Sequence, residues 1–387
     1  MKEFVAGRVF SKIFSGPSFE PGIVLENQSV EVVFSEKIEK GVDFNNALDG
    51  LVNIPISPHF KREVEEDLRL PVHRTLFKLT NPTILVFTWP NGETRHFVLT
   101  QEGRLLEKND FWLKYFHFIA RDGNGFRING NISVNGVLKS PESFYWSPDM
   151  ANFSHFLVDA LAPCVDFSKQ FEFLKNLPIP QFSKMPAWQD EYFTDLGERK
   201  LLQGSIGSFV VFQPGELYFP VISGTLERTL AIGAYFRSQG KIPYLPITKR
   251  RPIFLTRRDA RSARIRNAHE IASLVMKRGG LCVDPSQYGI RKKRELFSMN
   301  AVFLCEGSGN TNVAVFGTPE SRVISLMDIT PTLNPAFIQG GWPYYHSISA
   351  RTDFICGSDS VPLPGSPLSS CHYSIEQINN KIEQYCY

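Results

Sequence analysis

The chain has 387 residues, 42% hydrophobic and 21% charged, with a formal net charge of +3. This length exceeds what one core usually covers, so two domains are expected, and the composition excludes a disordered or collagen-like chain. No apolar run approaches the roughly 18 residues of a membrane span.

Residues 1–14 mix charged and apolar positions and do not read as a signal peptide. In the first 140 residues VEVVF (30–34), TILVFTW (83–89) and HFVLT (96–100) read as strands, and Asn91-Gly92 reads as the hairpin turn between the last two. Residues 150–175 predict a helix with Phe153, Phe156, Leu157 and Leu161 on one side. His155 and Asp159 are four apart in it and share a face. A histidine and a carboxylate projecting together can take a proton from a hydroxyl or hold a sugar. The same spacing also suits a buried histidine bonded to its aspartate.

The C-terminal half alternates. PIFLT (252–256), LCV (281–283), AVFL (301–304) and RVISL (322–326) read as short buried strands. Asn267 and Glu270 form a capping-box-like start for a helix that Gly279-Gly280 ends. A second helix fits 287–299, and a third runs through Val313 and Phe316. Such alternation predicts a parallel sheet wound with helices, with ligands beyond the carboxyl ends of the strands. After residue 340 the chain is rich in Pro, Ser and Gly up to Ser370, and a final helix follows.

Two features converge on that sheet edge. Glu306-Gly307-Ser308-Gly309-Asn310-Thr311-Asn312 passes from strand into helix, and glycines before a helix start form a place for phosphate. By itself the motif also fits a tight turn without ligand. The loop after the first strand carries Arg257, Arg258, Arg261, Arg264 and Arg266, whose planar donor forks match phosphate oxygens. Together they suggest a pyrophosphate. Residues 249–294 hold 14 Lys or Arg against three acids, a surplus of 11, so the remainder of the chain carries −8. A basic segment in an acidic chain implies an anionic ligand or surface. The six cysteines form no Cys-x-x-Cys pair and are expected to be reduced thiols of a cytoplasmic protein.

ANFSHFLVDALAPC (151–164), IFLTRRDARSARIRNAHEI (253–271) and the run 302–326 resemble three ordered motifs of glycosyltransferase family 61, of bacterial capsular or exopolysaccharide type. The resemblance covers roughly 145–165 and 250–328. It implies an α/β, GT-B-like fold: two Rossmann-like domains facing a cleft, with an extra β-rich N-terminal part. Residues 1–246 would form the acceptor-side domain, β-rich over 1–140 and helical or α/β over 141–246. Residues 247–340 would form the nucleotide-sugar-binding domain, and 341–387 a tail packing back on the N-terminal domain. It further implies an inverting transfer of a sugar from a nucleotide-activated donor, a UDP-sugar, to a glycan hydroxyl in surface polysaccharide biosynthesis.

Carried over by position, Arg257, Arg258, Arg264, Gly307, Ser308, Gly309, Asn310, Thr311 and Asn312 would hold the donor. Asp159 would be the base with His155 positioning, and Asn152 and Ser154 would lie on the acceptor side. Glu306 stands where the family has histidine. A carboxylate repels a diphosphate, so it is expected to bind sugar or ribose hydroxyls. No Asp-x-Asp pair occurs, so no metal or cofactor is expected. The expected partners are the donor and a glycan or lipid-linked oligosaccharide acceptor, with no nucleic acid. The basic segment and Trp342-Pro343-Tyr344-Tyr345 are candidates for contact with an anionic bilayer, at the inner face of the membrane. A non-catalytic sugar-nucleotide-binding or scaffold relative, and a nucleic-acid binder using 249–294, are the competing readings.

Overall fold

The computed structural model describes residues 29–38, 71–88, 94–101, 119–122, 125–128, 134–148, 150, 152–182, 186–193, 196–202, 209–223, 225–238, 250–256, 264–299, 301–306, 308–318, 321–327, 352–362 and 369–387. They fall into two compact units, one ending at Ser223 and the other beginning after it. The Asn91-Gly92 turn and Trp342 to Tyr345 lie outside the described residues.

The first unit contains β1 (Val30–Ile38), β2 (Val72–Thr80), β3 (Thr83–Thr88), β4 (Thr94–Leu99), β5 (Ile119–Asp122), β6 (Gly125–Ile128) and β7 (Val134–Tyr145). A helical run α1 follows (Phe153–His155, Phe156–Leu161 and Ala162–Gln170), then β8 (Ile179–Gln181), β9 (Arg199–Leu201) and β10 (Phe209–Ile222). β10 is the spine of the main sheet. It carries β7 in parallel along one edge and β2 and β3 in turn, both antiparallel, along the other. Asn81, with φ of 47°, turns β2 into β3, and its N–H donates to Gly215 O at 2.8 Å. A Cβ on Gly215 would lie 2.6 Å from Pro141 O, so only glycine lets β7 and β10 close there. β1 flanks β2 and β4 flanks β3.

Phe77, Leu79, Val86, Phe144, Trp146, Phe212 and Phe219 share one buried cluster; burying each such side chain contributes roughly 1.5–3 kcal/mol. Tyr145, next to Phe144 and Trp146, points the other way and anchors α1, its hydroxyl donating to Cys164 O at 2.8 Å. Arg74 on β2 binds Asp166 of α1 at 2.6 Å. The sheet is therefore mainly antiparallel, which corrects the expectation of a Rossmann-like first domain. Among the described residues every strand pair of this sheet is antiparallel except β7–β10, whose connection carries α1.

The second unit contains α2 (Thr225–Ser238), β11 (Arg251–Leu255), α3 (Ala268–Lys277), β12 (Leu281–Val283), α4 (Ile290–Phe297) and β13 (Ala301–Cys305). It continues with α5 (Ser308–Phe316), β14 (Arg322–Met327), β15 (Thr352–Cys356), β16 (Ser358–Pro362), β17 (Ser369–His372) and α6 (Ile375–Cys386). Its main sheet is parallel throughout, in the order β12-β11-β13-β14-β15. Phe254, Val302, Leu304 and Ile324 pack with Ile271 and Val275 of α3 and Ile378 and Ile382 of α6. Phe303, pointing oppositely, meets Phe297 of α4, with ring centroids 5.2 Å apart, and Phe316 of α5 packs beside Phe297 and Phe236 of α2. Helices cover both faces, as alternation predicts. The described part of the tail was expected against the N-terminal domain; instead β15 extends this sheet and α6 enters this core. The apolar stripe of α6 buries the hydrophobic face of the parallel sheet beside α3.

Candidate functional site

Numbered within its unit, the parallel sheet has the order 2-1-3-4-5. The strand order reverses between β11 and β13, and in open α/β sheets ligands bind beyond the carboxyl ends of the strands at that switch. β11 ends at Leu255, before Thr256 and the arginine loop, and β13 ends at Cys305, before Glu306. The two sequence features therefore leave adjacent strands at the switch point.

Arg257, Arg258, Arg261 and Gly307 lie outside the described residues, as do the side chains of Ser308 and Asn310. The chain is described again at Arg264. Its Nε lies 3.8 Å from Glu306 Oε2, with the side chains 20% and 7% exposed. That is an ion pair and too long for a hydrogen bond. It explains how a carboxylate is accepted in so dry a place. The neighbouring Cys305 thiol is pushed well above its usual range, first by burial and then by the Glu306 charge.

Helix α5 starts tight against both strand ends. Gly309 N–H donates to Glu306 O at 2.8 Å, and a Cβ on Gly309 would stand 2.8 Å from Cys305 Cβ and 3.6 Å from Leu255 Cδ1. Thr311 and Asn312 are buried. The first-turn N–H groups and the helix dipole make the start of α5 a suitable place for an anion.

Asn267 departs from expectation. It occupies the N-cap position of α3 but makes no side-chain cap bond. Its Nδ2 donates to Tyr373 O at 2.8 Å and its Oδ1 accepts from Tyr373 N–H at 3.0 Å. A buried tertiary partner takes the amide that the helix end would otherwise use.

In the first unit, Asn152 caps α1. Its Oδ1 accepts from Ser154 N–H at 3.0 Å and His155 N–H at 3.4 Å. His155 Nδ1 and Asp159 Oδ2 are 2.7 Å apart, and both side chains are partly exposed. In a neutral ring facing an ionised Asp159, which only accepts, Nδ1 carries the proton and Nε2 the lone pair. Phe156–Leu161 is wound as a π-helix, with Ala162 N–H reaching Leu157 O. Such widened turns recur at functional sites. Phe153, Phe156 and Trp188 each meet Tyr192 edge to face around the helix start, and Phe156 meets Trp188 in the same way. Gln189, fully buried, donates from Nε2 to Met150 O at 2.7 Å and fixes the chain just before the cap. Trp188, Gln189 and Tyr192 were not legible in the sequence, since the short turn that carries them has no periodicity.

Among the described residues no group of three or more His, Cys, Asp or Glu is arranged to hold a metal ion, and no helix is long and apolar enough to cross a membrane. All six cysteines are free thiols.

A family model described as Glycosyltransferase 61 matches residues 153–324. The match begins at the helix of His155 and Asp159 and runs through the arginine loop and α5 into β14. No curated protein matches the chain.

Proposed function

We propose that the chain is a member of glycosyltransferase family 61, whose model matches residues 153–324, and that it is an inverting, nucleotide-sugar-dependent transferase acting on a glycan hydroxyl in surface polysaccharide biosynthesis. The observation that carries this reading is the convergence at the switch point of the parallel sheet. There Arg264, Glu306 and the start of α5 stand at the ends of two adjacent strands.

In this reading the second unit holds the donor. Arg264, with Arg257 and Arg258 of the same loop, and the first turn of α5 stabilise the negative charge that grows on the departing nucleoside diphosphate. Thr311 and Asn312 lie inside α5 and support that turn, while Ser308 and Gly309 present it. Glu306 accepts from sugar or ribose hydroxyls, its own charge balanced by Arg264. Positive side chains and a helix start take the neutralising role here, so the proposal needs no metal.

The first unit supplies the base. The acceptor hydroxyl oxygen forms its bond to the anomeric carbon while the carbon–oxygen bond to the diphosphate breaks. That electron pair leaves with the nucleotide, inverting the centre. The hydroxyl proton goes to the His155–Asp159 pair. The 2.7 Å contact supports His155 Nε2 as the immediate acceptor, with Asp159 holding the ring and stabilising the imidazolium. This reverses the roles expected from sequence. Asn152, spent on capping, and Ser154 place the helix start beside the acceptor.

A metal-free thermal-shift and calorimetry screen against UDP, GDP, CDP, CMP and ADP and their sugar conjugates tests the donor site. One nucleotide, UDP in first place, should stabilise the protein by about 2.7 kcal/mol at a hundred times its Kd. No binding by any of them removes the donor reading. Binding without turnover leaves a non-catalytic sugar-nucleotide-binding relative.

A further inference from the structure

We infer that the C-terminal strand β17 and Tyr373 are a working part of the donor site, with Asn267 as a positioning residue for Arg264. This rests on the reading of Arg264 as a diphosphate contact and extends the site beyond residue 324, where the family match ends.

The backbone of Arg264 is held from the tail. Cys371 N–H donates to Arg264 O at 2.8 Å, and Arg266 N–H donates to Cys371 O at 2.8 Å. Ile265 and Cys371 thereby form a parallel bridge. One residue further along on the loop side, the Asn267 amide grips both polar groups of Tyr373, at 2.8 and 3.0 Å. Asn267, Cys371 and Tyr373 are all buried. Four bonds thus tie residues 264–267 to 371–373. Arg266 Nη1 adds a bond to Asp359 O at 3.1 Å.

The chain is shaped to allow this return. Between β15 and β16, a Cβ on Gly357 would stand 2.3 Å from Cys371 Cβ and 3.1 Å from its Sγ. Only glycine lets β17 lie where it can bridge the arginine loop. Asn267 meanwhile forgoes the cap of α3 that its type and place would favour. A helix cap would stabilise α3 alone. The bond to Tyr373 instead fixes the segment from which Arg264 reaches Glu306, and in a dry setting such a two-ended amide pair is both strong and directional.

The test uses the full chain, calorimetry and two metal-free probes, UDP and inorganic pyrophosphate. Asn267→Ala should weaken binding of the better probe about tenfold or more. Ile382→Val, a core change in the same unit, should lower the melting temperature with unchanged affinity. If Asn267 acts through Arg264, Asn267→Ala should cost nothing further in an Arg264→Gln background, because residues acting as one unit are not additive. Gly357→Ala, which pushes β17 away, should repeat the affinity loss and covers the case in which Asn267→Ala does not fold. If wild type binds a probe but both tail variants bind equally well, the positioning role is overturned. Losses that add fully to that of Arg264→Gln overturn it too. If wild type binds neither probe, the reading of Arg264 as a diphosphate contact falls and takes the tail's role with it, while the other nucleotides of the screen decide the donor reading as a whole.

Discussion

Pro163 follows Asp159 by four residues within one helical run, and the turn between them is wound as a π-helix. In an α-helix the proline ring would meet the carbonyl of Asp159, and its missing N–H would leave that carbonyl without a partner. The π-wound stretch holds Asp159 and ends at Leu161, two residues before Pro163. Pro163→Ala permits ordinary winding. Turnover should fall about 10- to 100-fold with donor affinity and melting temperature undiminished, measured as nucleotide release from the donor that the binding screen identifies. Unchanged turnover would mean that the winding has no catalytic consequence.

His155 and Asp159 should behave as one unit. Asp159→Asn and His155→Ala should each lower turnover by about 100-fold or more while leaving nucleotide binding intact. The double variant should lose no more than the worse single one. Near-normal turnover by His155→Ala, with Asp159→Asn inactive, would return the base role to Asp159 alone.

Gly309→Ala places a methyl group 2.8 Å from Cys305 Cβ. The start of α5 must then move off the strand ends, at about 1–3 kcal/mol for an overpacked site. Nucleotide affinity should drop along with stability, because the displaced turn is the proposed phosphate site. A drop in melting temperature with full affinity would separate the turn from the ligand.

Lys78 and Glu216 tie β2 to β10 at 2.8 Å. The ammonium of Lys78, then the hydroxyl of Ser143, holds the Glu216 carboxyl below its usual range, and Glu216 raises Lys78. A lowered carboxyl adds stability above its unfolded value of about 4.3, lost as pH falls through the lowered value. A raised ammonium adds stability below about 10.4, lost as pH rises through the raised value. Both side chains are partly exposed, so about 0.2–1 kcal/mol is expected. Glu216→Gln should therefore lower the melting temperature slightly between pH 5 and 10, and by less and less as pH falls through the lowered carboxyl value. A deficit that does not shrink on acidification would point to packing.

Thiol labelling should follow burial. Burial pushes Cys164 up to about 12, and Cys282 is exposed. At pH 8 iodoacetamide should modify Cys282 in the folded protein and Cys164 only after unfolding, as read by mass spectrometry. Early labelling of Cys164 would show that α1 opens readily.

By itself the sequence determined the elements whose signal is local. Strands 251–255, 281–283, 301–305 and 322–327 and the helices between them follow from short apolar runs, helical spacing and glycine stops, all read within about ten residues. The His155–Asp159 pair was legible because four residues is one helical turn. Tertiary structure alone decided the rest. β10 is the spine of the first sheet only because β2, β3 and β7 meet it, and none of these partners is marked in its own residues. Asn267 looks like a helix cap in sequence and becomes a clamp because Tyr373, 106 residues away, offers it a buried pair of backbone groups. Glu306 beside Arg264 is the same kind of fact: charge balance in a dry site depends on which strands lie side by side, and strand order is a property of the whole sheet rather than of any segment.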